Sequence, residues 1–369
     1  MKRVSILTHS FVDAYNQRFS KIFGGGLERY LYDLCGVVKA MGMQPEVHQL
    51  SYFAPFQTVV EDIQVYGYSY EFDQVAEAFQ TMAEQATGAL IYASCIWHPI
   101  LYKRGSLGIC HGLNWDRCDL PTAEKAKVAQ AVQTALNQLA CIVSVDSHFL
   151  SFCRSVCRYA DPEQVVLLPN AVDTARFTPV ERTSSGDHIR VLFPRRISHE
   201  RGVIPMMLAA DRLLAAYQNL TIEFAGEVVE DSPICNAFLI WMEEHPHRQR
   251  ITHRTYSFDR IVEGYRQADI VVIPSIFSEG TSYSCLEAIS CGTAVVASNV
   301  GGLNDIIIDG YNGLLVPPTD EQVTLAIKRL IDNPQLRKSI GVHARETSLA
   351  FDKSIWEQRW QAILGRYLK

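Results

Sequence analysis

Positive charge is in short supply: 34 Lys and Arg stand against 40 Asp and Glu, a formal net charge of −6. Such a chain sets up no general field for a polyanion, and no dense Lys/Arg run makes up for it locally, so nucleic acid is not an expected partner. Long apolar runs are missing too. No stretch reaches the ~18 residues of a membrane-spanning helix, and residues 4–7 behind Lys2 and Arg3 are too short for a signal-peptide core. The expectation is a soluble, unexported, cytoplasmic chain. The ten cysteines include no C-x-x-C pair, which removes the zinc knuckle and the disulfide framework as readings of spacing. Cys153 and Cys157 stand one helical turn apart and His245-Pro246-His247 reads as a loop. Neither brings the carboxylate or thiol set that a metal needs.

What the chain has is apolar mass. At 369 residues and 48% hydrophobic, it exceeds what one core usually supports, so two domains are expected. Short apolar runs alternate with longer amphipathic segments, the signature of βαβ units and parallel sheets. In the first half, strands are predicted at 3–8, 45–49, 89–93, 107–110, 141–145 and 165–168, with helices near 26–41, 71–86, 122–139 and 147–158. Leu27, Tyr30, Leu31, Leu34, Val37, Val38 and Met41 share one face of the first helix, the spacing of a helix packed on a sheet. The second half restarts the alternation with strands near 189–193, 220–225, 250–252, 270–273 and 294–297. Between the halves Pro169, Pro179, Thr183, Ser184, Ser185 and Gly186 make a turn-rich linker. The predicted domains are therefore 1–178 and 187–350, with a helix over 351–369, anchored by Phe351, Ile355, Trp356, Trp360, Ile363, Leu364 and Tyr367, expected to pack back on the first. Two doubly wound, Rossmann-like α/β domains facing across a cleft are the economical architecture, and the cleft is the default ligand site.

The densest polar stretch runs from Pro274 through Ser278-Glu279-Gly280-Thr281-Ser282 to Glu287-Ala288, directly after an apolar strand. It reads as strand, loop and helix start. Glu279 closes the loop and Glu287 lies two turns into the helix, while Gly and Ser between them let backbone N–H groups face a ligand. A helix N-terminus of this kind favours an anionic or hydroxyl-rich ligand. On spacing alone, a capped helix with two surface carboxylates stays open as the alternative.

Glu279 and Glu287 separated by seven residues, behind Pro274-Ser275 and ahead of Gly292-Thr293-Ala294-Val295-Val296-Ala297 and Gly301-Gly302, resemble the E-x7-E block of retaining family 4 glycosyltransferases with the GT-B fold. The resemblance implies that Glu287 holds the ribose hydroxyls and Glu279 a hydroxyl of the transferred sugar, with the backbone of Gly280, Thr281 and Ser282 against sugar and phosphate. Arg195-Arg196-Ile197-Ser198-His199-Glu200-Arg201-Gly202 is similar to that family's G-R-L-x-x-x-K-G segment, which places Arg196 and Arg201 at the donor diphosphate. Arg195 stands where Gly is usual and Arg201 where Lys is usual. Arg keeps the charge and adds a planar fork for phosphate oxygens, with a different reach.

The first half carries two corroborating pieces. Gly24-Gly25-Gly26-Leu27-Glu28 resembles the family's G-G-x-E loop, which implies that the backbone of Gly25 and Gly26 approaches the diphosphate. A dehydrogenase fingerprint would need Gly where Arg29 stands. His111, at the end of a strand in Gly108-Ile109-Cys110-His111-Gly112, matches the family's active-site His; a structural histidine is the alternative. Pro169-Asn170-Ala171-Val172-Asp173 with Phe177 and Pro179 is similar to its interdomain segment. The base pocket is expected near Arg254, Thr255 and Tyr256.

No D-x-D triplet is present to hold a divalent ion on a nucleotide sugar. The implied enzyme is metal-independent and needs no cofactor beyond its nucleotide diphosphate sugar donor, a UDP-sugar by family frequency. The acceptor bears a hydroxyl and is otherwise open, whether sugar, lipid-linked or small molecule, and peripheral membrane contact stays open with it. Tyr52, Phe53, Phe56, Tyr66, Tyr68 and Tyr70 make 51–70 aromatic, either as loop packing or as a cover for an acceptor. The competing readings are an epimerase-like GT-B enzyme and a catalytically silent nucleotide-sugar-binding protein.

Overall fold

The computed structural model describes residues 2–14, 17–113, 119–180, 188–229, 232–257 and 259–368. The chain divides into two compact units. The first runs through Asn170 and takes up the chain again from Ser354; the second spans Ala171–Lys353.

In the first unit, β1 (Arg3–Thr8), β4 (Gln44–Ser51), β7 (Ala89–Tyr92), β8 (Leu107–Cys110), β9 (Cys141–Ser144) and β10 (Val165–Leu167) pair in parallel in the order β10-β9-β8-β7-β1-β4. Helices α1 (Gly26–Ala40), α2 (Val75–Gln85), α3 (Thr122–Gln138) and α4 (Ser147–Val156) make the crossovers. Tyr30, Leu31, Leu34, Val37 and Val38 of α1 are all buried, the face its periodicity marks out. A small antiparallel hairpin, β2 (Val12–Asp13) and β3 (Arg18–Ile22), follows β1.

The aromatic segment 51–70 is not a loop. It forms β5 (Phe56–Val60) and β6 (Ile63–Ser69), an antiparallel pair whose β6 joins β4 in parallel register at the sheet edge. Glu61 and Asp62 turn the hairpin with φ of 50° and 57°. Acidic turn residues tolerate this left-handed region, and without Gly or Pro the turn left little trace in the sequence.

In the second unit, β11 (Ile189–Phe193), β12 (Leu220–Ala225), β13 (Ile251–Arg254), β14 (Ile270–Ile273), β15 (Ala294–Ser298) and β16 (Leu314–Val316) form a parallel sheet in the order β13-β12-β11-β14-β15-β16. Helices α5 (Val203–Ala216), α6 (Pro233–Glu244), α7 (Ile261–Gln267), α8 (Tyr283–Ser290), α9 (Asp320–Asp332) and α10 (Pro334–Ser348) cover both faces. Alternate residues of β14 therefore enter different cores: Ile270 and Val272 join Val203, Met206 and Phe238, while Val271 and Ile273 join Tyr265, Leu286 and Ile289. A strand buried on both faces reads as an unbroken apolar run.

The boundary falls earlier than the turn-rich composition implies. Val172 is hydrogen-bonded to Phe351 and Lys353, Phe177 is buried in the second unit's core, and the Arg345 guanidinium bonds the carbonyls of Thr174 and Phe177. Residues 171–180 are thus fastened to the second unit. Thr183, Ser184, Ser185 and Gly186 lie outside the described residues. The last helix, α11 (Lys353–Tyr367), packs on the first unit, where Trp360 Nε1 donates to the buried Tyr30 hydroxyl at 2.9 Å.

Candidate functional site

In the second unit β11 and β14 lie side by side, and the chain proceeds to β12 on one side and β15 on the other. This is the topological switch point of a doubly wound sheet, the place at the strand carboxyl ends where such sheets bind ligands. The 195–202 segment follows β11 and the 274–282 segment follows β14. The two loops are interlocked by backbone. Ile276 N–H donates to Glu200 O at 3.0 Å, and Gly202, at φ +78°, passes so close to Pro274 that a Cβ there would stand 1.8 Å from its carbonyl oxygen. Gly301 and Gly302 press against the backbone of the second loop. A Cβ on Gly301 would meet Glu279 O at 2.4 Å, and one on Gly302 would meet Thr281 N at 2.6 Å.

Glu279 is the electrostatic centre of this arrangement. Its Oε2 accepts from Arg195 Nη2 at 2.5 Å and also from Arg201 Nη1, and its Oε1 accepts from Ser275 Oγ at 2.9 Å. Burial by itself would raise the carboxyl's pKa, but Arg195 and Arg201 more than offset this and hold it below the usual carboxylate range. Glu279 is ionised at neutral pH.

Arg195 was not among the residues picked from the sequence, where it counted only as a departure from Gly. It is the buried member of the basic group, 9% exposed, and its Nη1 also donates to Ser282 Oγ at 3.0 Å. Its signal was the strand end it occupies: a charged residue following the apolar β11 needs a partner, and Glu279 was the acid available. Arg196 is exposed and Arg201 partly so, leaving their guanidiniums within reach of a ligand.

Gly280, Thr281 and Ser282 are buried and lead into α8, with Ser282 as its N-cap. Ser282 supplies no side-chain cap, its hydroxyl accepting from Arg195 instead. Glu287, one turn into α8 and 4% exposed, lies beside Tyr265, whose phenol is pushed well up by burial and then by the Glu287 charge. Thr255 is exposed just past β13, next to Tyr256, whose hydroxyl donates to Glu223 at 2.6 Å.

The first unit carries its own polar group at strand carboxyl ends. His9 follows β1, its backbone N–H donating to Ser94 Oγ at 2.9 Å, and His111 follows β8 with its ring edge-on to Tyr30 at 4.7 Å. Burial, then the neighbouring His9, brings His111 down to about 3; burial, then His98, brings His9 down to about 4. Both imidazoles are neutral at pH 7, and His9 Nδ1 and His111 Nε2 are shielded without a hydrogen-bond partner. Gly25 is the N-cap of α1, and Gly26 opens the helix. The Glu28 carboxylate folds back so closely that a Cβ on Gly25 would stand 2.1 Å from Glu28 Oε2. The Gly25 N–H itself donates to Phe23 O at 3.0 Å, and the Glu28 side chain sets a protein carboxylate beside Gly25, where the resemblance implies that a diphosphate approaches.

Among the described residues, no three His, Cys, Asp or Glu side chains are grouped to hold a metal ion, and no helix is long and apolar enough to cross a membrane.

Residues 177–347 match the family model for Glycosyl transferases group 1. The chain is 32% identical over 221 residues to D-inositol 3-phosphate glycosyltransferase of Paenarthrobacter aurescens, covering 56% of this chain and 52% of that protein. It spans about half the length of the curated relatives it matches. In structure it is similar to sucrose-phosphate synthase from Thermosynechococcus elongatus, with TM-score 0.79 and 17% identity over 99% of both chains. It is also similar to the Anabaena protein HepE solved with UDP-glucose, with TM-score 0.73 and 15% identity over 99% of this chain and 100% of that one. Both units thus have the Rossmann-like folds of the GT-B class.

Proposed function

We propose that the protein is a metal-independent, retaining glycosyltransferase. It moves a hexose-type sugar from a UDP-sugar to a hydroxyl acceptor in polysaccharide, glycolipid or glycoconjugate synthesis, from a cytoplasmic location that allows peripheral membrane contact. One observation carries the reading: Arg195, Arg196 and Arg201 gather around the buried carboxylate of Glu279 at the switch point of the sheet in the matched region. Glu200 also acts on Arg201, so three guanidiniums and two carboxylates are concentrated in this loop cluster. A diphosphate suits clustered guanidiniums, and guanidiniums held in place stabilise the charge that grows on it as it leaves. Glu287 suits the ribose hydroxyls and Glu279 the sugar hydroxyls, because each is an acceptor held in place by the fold. His111, neutral at pH 7, is assigned to orient hydroxyls in the first unit by hydrogen bonding, with no charge to offer.

In the proposed reaction, the acceptor oxygen bonds to the anomeric carbon on the face from which the diphosphate departs. The bond from that carbon to the phosphate oxygen breaks, its electrons stay on the diphosphate, and the released phosphate oxygen takes the acceptor's proton. Arg196 and Arg201 compensate the leaving group.

The test is release of the nucleoside diphosphate from a panel of UDP- and GDP-sugars, with and without EDTA. Release from a UDP-sugar at an unchanged rate in EDTA is expected. Binding without turnover across the panel and a range of acceptors, or activity abolished by EDTA and restored by Mg²⁺, overturns the reading.

A further inference from the structure

We propose that Arg195 is the resident counter-ion of Glu279, a positioning residue that keeps this carboxylate paired and so releases Arg201 for the donor diphosphate. The inference rests on the reading of this site as the donor site. One oxygen, Glu279 Oε2, is shared by two guanidiniums of unlike standing. Arg195 is 9% exposed, and both of its terminal nitrogens are engaged inside the protein, one by Glu279 and one by Ser282. Arg201 is 41% exposed and bonds Glu279 through a single nitrogen. One cation suffices for the Glu279 carboxylate, and Arg201, unlike Arg195, also has the Glu200 carboxylate beside it.

The buried guanidinium is not the one that can leave. Turning Arg195 outward would break two hydrogen bonds and uncover Ser282, the N-cap of α8. Arg201 lies near the end of the 195–202 loop, with its side chain partly exposed and held by one nitrogen, so it can turn away from Glu279. A phosphate arriving at this loop competes with Glu279 for Arg201. Were Arg201 the sole partner, each binding event would strand a buried carboxylate, and the cost of that unpaired charge would be subtracted from affinity. With Arg195 in place the exchange leaves Glu279 paired to Arg195 and to Ser275. The departure at position 195, where the resembling segment has Gly, thereby acquires a purpose: the side chain reaches 84 residues along the sequence to Glu279.

Calorimetry with UDP and GDP on Arg195→Ala, Glu279→Gln and the double variant tests this. Arg195→Ala is expected to weaken binding about tenfold, a coupling within the range for groups in direct contact. In the double variant, affinity returns to the level of Glu279→Gln, because no carboxylate remains to hold Arg201. A double variant as weak as Arg195→Ala overturns the inference, since a merely structural arginine would not be rescued by neutralising its partner. Arg195→Lys, which keeps the charge but not the fork, serves if the alanine variant does not fold, and should lie between wild type and loss. A carbon-13 titration of the Glu279 carboxyl needs no ligand: Arg195→Ala should move it upward further than Arg201→Ala does, and the reverse order overturns the proposal. Wild-type protein that binds neither nucleotide overturns the donor-site reading instead, and the carboxyl titration then still decides the role of Arg195.

Discussion

The Gly302 amide donates to the Glu279 carbonyl at 2.7 Å. This bond fastens the loop after β14 to the turn after β15, and through it the backbone of Glu279 is fixed independently of what its side chain touches. The pairing of Glu279 with Arg195 and Arg201 is built on that fixed point.

Substitution of Gly302 by Ala therefore tests whether the loop position matters. The added Cβ would stand 2.6 Å from both Gly280 C and Thr281 N, backbone atoms that move only if the whole loop moves. The expected cost is about 1–3 kcal/mol of stability, read by urea unfolding. Turnover should fall more steeply than the stability loss explains, because Glu279 moves with the loop.

Arg196→Ala and Arg201→Ala remove charge from the rim without emptying the core, since Arg196 is exposed and Arg201 partly so. Each is expected to lower kcat/KM by about 100-fold or more, the scale of one lost donor to a developing oxyanion. Thermal unfolding should barely change. Steady-state kinetics that match wild type in both variants would remove the arginines from the reaction.

The sequence revealed most of the parallel strands because strands buried on both faces leave continuous apolar runs, as at 189–193 and 270–273. It was less informative wherever a residue's meaning depends on a distant partner. Arg195 is the clearest case: nothing near it in sequence shows that its guanidinium ends on Glu279 and Ser282. The start of the second unit at Ala171 was hidden for the same reason, since Val172 is claimed by Phe351 and Lys353. Gly25 and Glu28 show the converse, where a recognisable loop gave no hint that its own carboxylate covers the helix start.

Glu46 offers a pH test away from the site. It is buried on β4, accepting from Ser5 Oγ at 2.6 Å, with His48 Nε2 at 3.3 Å. Burial would raise its pKa, but the bonds from His48, Ser5 and the Thr87 amide bring it down to about 2. Because the folded value lies below the unfolded one, the stabilisation is present above the unfolded pKa of about 4.3 and is lost as the pH falls toward 2. Glu46→Gln should cost roughly 2–3 kcal/mol near neutral pH, and the gap between wild type and variant in urea unfolding should narrow steadily below pH 4. A gap that stays constant from pH 7 to pH 3 would contradict the assignment of that carboxylate.

The product is expected to keep the donor's anomeric configuration. Double displacement through a covalent glycosyl-enzyme requires a carboxylate or comparable nucleophile free to attack the anomeric carbon. Glu279 is a poor candidate, because its Oε2 is engaged by two guanidiniums and its Oε1 by Ser275, and an anion so compensated is a weak nucleophile. His111 is neutral, with its pKa brought down to about 3, and is assigned to hydrogen bonding in the first unit. Same-face attack then asks of the protein only that it stabilise the leaving diphosphate and hold the acceptor close, which the arginine cluster is equipped to do. Glu279→Gln should accordingly lower turnover by a factor larger than its effect on nucleotide affinity, since its proposed contact is to the sugar. A proton NMR spectrum of the first-formed product reads the anomeric coupling directly. An inverted linkage would refute the mechanism even with every binding residue in its proposed role, because inversion needs a base opposite the leaving group and neither Glu279 nor His111 has been assigned that position.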